Sequence, residues 1–402
     1  MISQLHIENF RSIEKATIDL GRITVLTGAN NSGKSSVLYA LYALQNLKNN
    51  PNRSLNELFN FLNVISLGPF KEVVFQKNDT KTIKLGLTLS ATYRLTHSFF
   101  LSPSSSKIEL ELGNTPFDDK ISLLVSYPYS LNTSADFNIE TDFGTFSGTF
   151  NGFTIHNTRA TSNLPDVSSI DVLNELDKIT IAINNWATEI EVIATKRGFF
   201  KPIFNTVPLQ NIVVTEDELA TKIVLDRDLQ GYISHYLEKI ANRSFSVYVV
   251  PGSGIFYLQT RDRTTGFTTD LVNEGTGTNQ LVTILAKALQ PDKKFICIDE
   301  PEIHLHPSMI AKLVESLVEI AYEQDKQFML STHSEHFVTC LLAEVVKKNL
   351  EPDDLKVYYL TKDKKGTQIE HQAVNADGQI EGGLKNFYET ELQNLETFFK
   401  LA

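Results

Sequence analysis

The sequence predicts an α/β protein with two motif-bearing lobes and a β-rich plus helical insertion between them. Three observations predict it. A buried strand, a glycine-rich loop and a helix follow one another over residues 23–41. An apolar strand ending in two carboxylates, Lys294 to Glu300, returns 265 residues after the loop lysine, counted from Lys34 to Asp299. Between them, alternating apolar and polar runs are punctuated by Ser, Thr, Asn and Gly. A length of 402 residues suits two to three domains. The expected divisions are 1–79 for the first lobe, 80–250 for the insertion and 251–402 for the second lobe.

The glycine-rich loop is the most specific feature. Gly28-Ala29-Asn30-Asn31-Ser32-Gly33-Lys34-Ser35 fits G-x-x-x-x-G-K-[ST] at every fixed position. Such a loop turns successive backbone N–H groups inward around phosphates, and glycine permits the turn. Lys34 brings a point charge to the β- and γ-phosphates, and the Ser35 hydroxyl ligates Mg²⁺. Ile23-Thr24-Val25-Leu26 reads as the strand before it. Ser36 to Leu41 reads as the helix after it, whose N-terminus favours an anion. A Gly/Ser-rich turn can match by chance, but the strand–loop–helix context argues for a nucleoside triphosphate site.

The remaining elements follow in order. Gln4–Ile7 and Ala16–Ile18 alternate as strands, so the N-terminus does not read as a signal peptide. From Thr82 to Ile155 the pattern is antiparallel β, as in Ile83 to Leu89 and Ile108 to Leu112. Helical spacing covers about 168–192 and 216–242. Strands are expected near Phe245–Val250, Gly254–Thr260, Phe295–Ile298 and Gln327–Ser331. Helices are expected near 308–323 and 385–400. No eighteen-residue apolar run exists, so no membrane span is expected. The two cysteines, Cys297 and Cys340, read as reduced core residues of a cytoplasmic protein. A net charge of −11 argues against a broad nucleic-acid coat.

The second half narrows the chemistry. At the C-terminal end of a strand in an open α/β sheet, Asp299 and Glu300 face the ligand crevice. Asp299 can support Mg²⁺, and Glu300 can polarise an attacking water. A solvated Asp-Glu-Pro turn is the plainer alternative. Upstream, Asn273 to Gln280 is a glycine-rich turn opening an apolar helix, a second anion site or a plain N-cap. Downstream, Phe328 to Ser334 is an apolar strand ending at His333, placed to sense a γ-phosphate or position water.

That order of motifs resembles ABC-type ATPases. Asp299 to Pro307, with Ser331 to His336, resembles the RecF/SMC/OLD-like branch, and Ile7 to Ile13 matches its opening strand and turn. Gly378-Gln379-Ile380 and Phe387 resemble the tail of its small stand-alone members. The resemblance covers about residues 1–50 and 265–345; the middle has no specific match. It implies an ABC-type phosphate-loop ATPase head with ATP and Mg²⁺ as cofactors. Asn30, Asn31, Ser32, Gly33, Lys34, Ser35 and Ser36 would bind the phosphates, with Arg11 and Ser12 near the nucleotide. Ser35 and Asp299 would hold Mg²⁺, Glu300 would be the catalytic carboxylate and His333 the switch histidine. Gly275, Thr276 and Gly277 would cap the γ-phosphate of a second protomer. The turn lacks the serine-led signature of transporters. Gln76 is a weak candidate for the glutamine that couples nucleotide to the rest of the molecule.

The expected protein is an ATP-hydrolysing switch that dimerises, or forms a higher homo-oligomer, around ATP and controls a separate effector. Anti-phage defence or DNA transactions follow by resemblance alone. About sixty residues follow His336, and no TOPRIM nuclease is seen there, so no intrinsic nuclease is expected. A RecF-like DNA-binding repair ATPase and a non-hydrolysing scaffold are the alternatives. His304 and His306 lack a third ligand at metal spacing. Lys196 to Lys201 is the best basic–aromatic cluster for nucleic-acid contact, with Arg261 and Arg263 second. A solvated helix end or an intramolecular contact is the favoured reading for these. The aromatic middle region is expected to fill a small β core and to present loops such as Ser102–Ser106 and Asn132–Ala135 to a partner.

Overall fold

The computed structural model describes residues 1–60, 65–90, 94–113, 121–128, 134–140, 144–162, 169–209 and 215–380. The chain begins with β1 (Ile2–Phe10), β2 (Ile13–Asp19), β3 (Ile23–Thr27) and α1 (Lys34–Asn49). Two short helices, α2 (Leu55–Leu58) and α3 (Phe70–Val73), lead into β4 (Ile83–Ser90), β5 (Arg94–Leu101), β6 (Ser106–Gly113) and β7 (Ile121–Tyr127). Then come β8 (Ala135–Glu140), β9 (Gly144–Phe150), β10 (Ile155–Ser162), α4 (Ser169–Glu189), β11 (Ile190–Ile193) and β12 (Phe204–Asn205). Next are α5 (Glu216–Leu225), α6 (Arg227–Ala241), β13 (Arg243–Val249), β14 (Ile255–Asp262) and β15 (Thr268–Asp270). The order closes with α7 (Thr276–Ala288), β16 (Phe295–Asp299), α8 (Pro307–Glu323), β17 (Gln327–Thr332), α9 (Glu335–Val346), β18 (Leu355–Asp363) and β19 (Gly366–Gln372).

These elements form two compact units. The first holds Met1–Leu20, Ser35–Ile190 and Lys362–Gln368. Its main sheet runs β2-β1-β4-β5-β6-β7, antiparallel throughout, and a second sheet runs β10-β9-β8. Alternation makes this possible: Leu85, Leu87 and Leu89 of β4 and Ile108, Leu110 and Leu112 of β6 are all buried. Helix α1 carries no Gly or Pro, is rich in Leu and Ala, and stops just before Pro51. Its end is fastened to α4: Gln45 Nε2 donates to the carbonyls of Ala187 and Ile190, and Lys48 Nζ to that of Ile183. Trp186 of α4 donates to His97 Nδ1 at 3.2 Å, and burial lowers the pKa of that imidazole to about 3, so it stays neutral.

The second unit holds Gly21–Lys34, Glu191–Thr361 and Ile369–Ala402. Its sheet has the order β11-β16-β17-β3-β18-β19. Strands β16, β17, β3 and β18 are parallel, with Ile298 opposite Leu330, Leu330 opposite Val25 and Val25 opposite Val357. All of Ile23 to Thr27 and Gln327 to Thr332 is buried, as expected where both faces of a parallel sheet are covered. Leu281, Leu285, Leu313, Leu317 and Phe337 of α7, α8 and α9 lie in the same core. Cys297 is fully buried in β16, where burial raises its thiol pKa, and Cys340 is half-buried on α9. Both are free thiols.

Two expectations need correction or a limit. The stretch 216–242 is two helices, because Asp226 leaves helical geometry and its carboxylate caps α6 by accepting from Leu229 N. The helix expected near 385–400 and half of the Asn132–Ala135 loop lie outside the described residues. Among the described residues no helix is long and apolar enough to cross a membrane.

Candidate nucleotide site

The phosphate loop sits between β3 and α1 in the conformation its glycines allow. Gly28 has φ 138° and Gly33 φ 114°, while Asn31 is left-handed at 64°. Gly28 has a second reason to be glycine. A Cβ there would lie 2.2 Å from the Leu360 carbonyl of β18. Asn30 and Asn31 are exposed, and Ser32 N donates to Ala29 O. Lys34 Nζ donates to the carbonyls of Gly28 (2.7 Å) and Ala29 (3.0 Å), which hold the ammonium over the loop. Burial lowers the Lys34 pKa, and the charges of Glu300, Asp299 and Glu302 oppose that shift. The fold therefore gathers residues far apart in sequence into one electrostatic site.

Around the acidic pair the geometry is specific. Asp299 ends β16, and both its carboxylate oxygens accept hydroxyls: Oδ2 from Thr195 (2.8 Å) and Oδ1 from Ser331. Glu300 is left-handed at φ 49°, an uncommon place for a non-glycine residue, and its N–H donates to Ser331 O. Its Oε1 is 3.1 Å from His333 Nδ1. His333 follows β17 and is about half exposed beside Glu300. Glu302 is buried and takes a hydrogen bond from Thr332 Oγ1 at 2.5 Å. Burial raises its pKa. A carboxylate pair beside a lysine over a phosphate loop can bind a triphosphate and activate water.

In the first unit, Arg11 and Ser12 reach the phosphate-loop helix. Arg11 Nε donates to Ser36 Oγ at 3.2 Å, with its guanidinium over the Tyr39 ring. Ser12 Oγ lies 3.4 Å from Ser36 Oγ and accepts from Thr367 Oγ1. Ser35 opens α1 next to Lys34. Gln76 is exposed on a tight turn at Phe75–Lys77 with φ 56°.

The glycine-rich turn opens α7, with Gly275 as N-cap, and Gly275 and Thr276 are exposed. The turn lies more than two hundred residues from the phosphate loop, which suggests no role within its own chain. Contacts inside this chain correct that expectation. A Cβ on Gly277 would lie 2.5 Å from the His304 carbonyl, so this glycine lets α7 pack on the loop after β16. Asn279 is equally committed: it accepts from Phe199 N and donates to Phe199 O and Leu271 O. A Cβ on Gly275, by contrast, would meet nothing within 4 Å, and the φ of −56° there is one that any residue adopts.

Sequence reasoning missed Thr195, and of the two favoured readings of the Lys196 to Lys201 cluster Arg197 takes the intramolecular one, on backbone carbonyls. Arg197 is no helix end. It is buried in the segment after β11 and donates to the carbonyls of Asp299 (2.6 Å) and Glu300 (2.7 Å). It is thus closed to nucleic acid, while Lys201 is exposed and paired with Asp217. Arg261 donates to Gly266 O and Arg263 pairs with Glu238. The available signal was β11 itself, a short, mostly apolar run followed by Ala-Thr-Lys-Arg. His306 caps α8 by accepting from Ser308 N, and among the described residues no group of His, Cys, Asp and Glu could hold a metal ion as a cluster.

The SmcHead bound to the C-winged helix domain of ScpA is 14% identical, over 92% of this chain and 98% of that one, with a TM-score of 0.52, a likeness of fold. The SMC head domain from Thermotoga maritima is 11% identical over 92% and 98%, with a TM-score of 0.46. An SMC head with an extended coiled coil, bound to the C-terminal domain of ScpA and derived from Pyrococcus furiosus, is 12% identical over 99% of both, at 0.48. No curated protein matches the chain. A family model described as "AAA domain, putative AbiEii toxin, Type IV TA system" matches residues 23–339, well over half of the chain. The chain belongs to that family, and its fold is the phosphate-loop ATPase fold of an SMC head.

Proposed function

We propose that this chain binds and hydrolyses ATP, closes into a homodimer around it, and so switches a separate effector protein. The observation that carries the reading is the gathering of Lys34, Asp299, Glu300 and Glu302, with His333 on Glu300. Lys34 would exchange its loop carbonyls for β- and γ-phosphate oxygens. Glu300 would take the proton of the attacking water, and His333 would hold Glu300 in place and sense the γ-phosphate. Ser35 and Asp299 are hard oxygen donors of the kind Mg²⁺ takes, and the two hydroxyls on Asp299 already fix its direction. Bound Mg²⁺ would neutralise charge developing on the phosphates. Asn30 to Ser36 would supply the remaining phosphate contacts, with Arg11 and Ser12 supporting Ser36. Gln76 stays a weak candidate for coupling.

Dimerisation would place the exposed turn Gly275–Thr276 against a second copy's γ-phosphate. ATP then favours the closed dimer by its differential affinity for it, and hydrolysis removes that preference. The Glu300→Gln protein should double its mass by light scattering when ATP is added. Adding Gly275→Trp should abolish that doubling without loss of thermal stability, whereas Gly277→Trp should destabilise the monomer itself by clashing with His304. A Gly275→Trp protein that still doubles argues against this face.

The insertion, residues 80–250, would carry partner specificity. One solved SmcHead is seen bound to the C-winged helix domain of ScpA, which lends support to an effector outside this chain. Ser104 and Ser105 are exposed at the β5–β6 turn. Changing both to Glu should leave ATP hydrolysis within a few-fold while a protein captured with the wild type in ATP is lost. Loss of hydrolysis in a folded variant that keeps the captured protein would reverse these roles. The identity of that protein also decides between anti-phage defence and DNA transactions, which rest on family likeness.

A further inference from the structure

Thr195 and Arg197 come from the segment after β11, beside β16 in the sheet, yet no motif in the sequence assigns them work. Between them they touch one oxygen of the Asp299 carboxylate and the backbone carbonyls of both acidic residues. Thr195 Oγ1 donates to Asp299 Oδ2 at 2.8 Å, so with Ser331 the carboxylate is held from both sides. Arg197 Nη1 donates to the Asp299 carbonyl and to Ala194 O, and Nη2 to the Glu300 carbonyl.

Two features make this costly for a purely structural contact. Arg197 is only 6% exposed, and its Nε is buried with no hydrogen-bond partner among the described residues. An apolar side chain would fill the same space without burying a guanidinium. Glu300 meanwhile sits at φ 49°, a strained conformation that persists where surroundings over-determine it. Here the surroundings are visible: Ser331 O holds the Glu300 N–H and Arg197 holds its carbonyl. With both flanking peptides fixed, the Glu300 side chain leaves the backbone towards His333. The segment itself is anchored, because Asn279 of α7 grips both backbone groups of Phe199.

We propose that Thr195 and Arg197 are positioning residues of the site, Thr195 aiming the Asp299 carboxylate and Arg197 setting the backbone that presents Glu300. This rests on the ATP-hydrolysis reading above. Thr195 acts on the carboxylate that would support Mg²⁺, so its loss should be read first in Mg²⁺ requirement. Arg197 acts on the geometry of Glu300, so its loss should be read in turnover.

The test uses full-length protein and a fluorescent ATP analogue. Thr195→Val, nearly isosteric, should raise the Mg²⁺ concentration for half-maximal nucleotide binding about ten-fold and leave binding in EDTA unchanged. Thr195→Ser keeps the hydroxyl and should restore the wild-type requirement. Arg197→Lys cannot bridge two carbonyls as a planar fork does, and should lower kcat about 10²-fold with KM unchanged. The Thr195 pair keeps the test decisive even where Arg197→Lys loses the fold. A folded Thr195→Val with the wild-type Mg²⁺ requirement, or Thr195→Ser as defective as Thr195→Val, overturns the inference. A wild-type protein that binds no nucleotide overturns the reading beneath it instead.

Discussion

Lys34→Ala should remove tight ATP binding while leaving the protein folded. The ammonium is held over the phosphate loop by Gly28 O and Ala29 O, so it is already placed where β- and γ-phosphates would lie. A unit charge about 4 Å from another, at an effective dielectric near 20, is worth about 4 kcal/mol. That corresponds to roughly three decades in affinity. Stability should change little. Burial already works against the charged form of Lys34, so removing it relieves one cost while losing two hydrogen bonds to loop carbonyls. Calorimetric titration with Mg·ATP measures the affinity, and a thermal melt checks the fold. Binding within a few-fold of wild type would take Lys34 out of the phosphate site.

Glu300→Gln should do the opposite: it should keep ATP and lose turnover, by roughly 10²–10⁴-fold as general bases contribute. Glutamine matches glutamate in size and can keep its oxygen on His333, so the left-handed backbone and the local packing should survive. What disappears is the ability to take a proton from water. Lys34 contacts the bound phosphates, whereas Glu300 acts on the attacking water, so the two variants should separate binding from chemistry. The readings are phosphate release under single-turnover conditions and nucleotide affinity by titration. Wild-type hydrolysis by Glu300→Gln would remove Glu300 from the catalytic role. His333 should then be examined first, because it is the only described side chain seen bonded to the Glu300 carboxylate.

The loop and the acidic strand were legible because their physics is local. A phosphate loop needs glycines, a lysine and a hydroxyl within eight residues, and a strand ending in Asp-Glu carries its burial pattern in its own letters. The His333 strand was legible for the same reason, as an unbroken apolar run. The break at Asp226 was also written locally, as an N-capping aspartate, but it was masked by continuous helical spacing on both sides.

By itself, the sequence determined an α/β chain with a phosphate loop and two carboxylates at a strand's end, since each depends on neighbours within a few residues. Only the tertiary structure decided which side chains meet across long separations. It set β18 against β3, so that the Leu360 carbonyl rather than a phosphate alone demands glycine at Gly28. It gave Gly277 to His304 and left Gly275 open, two glycines that look alike in a motif. It turned Arg197 from a candidate surface cation into a buried clasp on Asp299 and Glu300. The physical reason is that strand order and register are properties of the whole sheet. A residue's charge and size can be read from its letter, but its partner is chosen by whichever strand packs beside it.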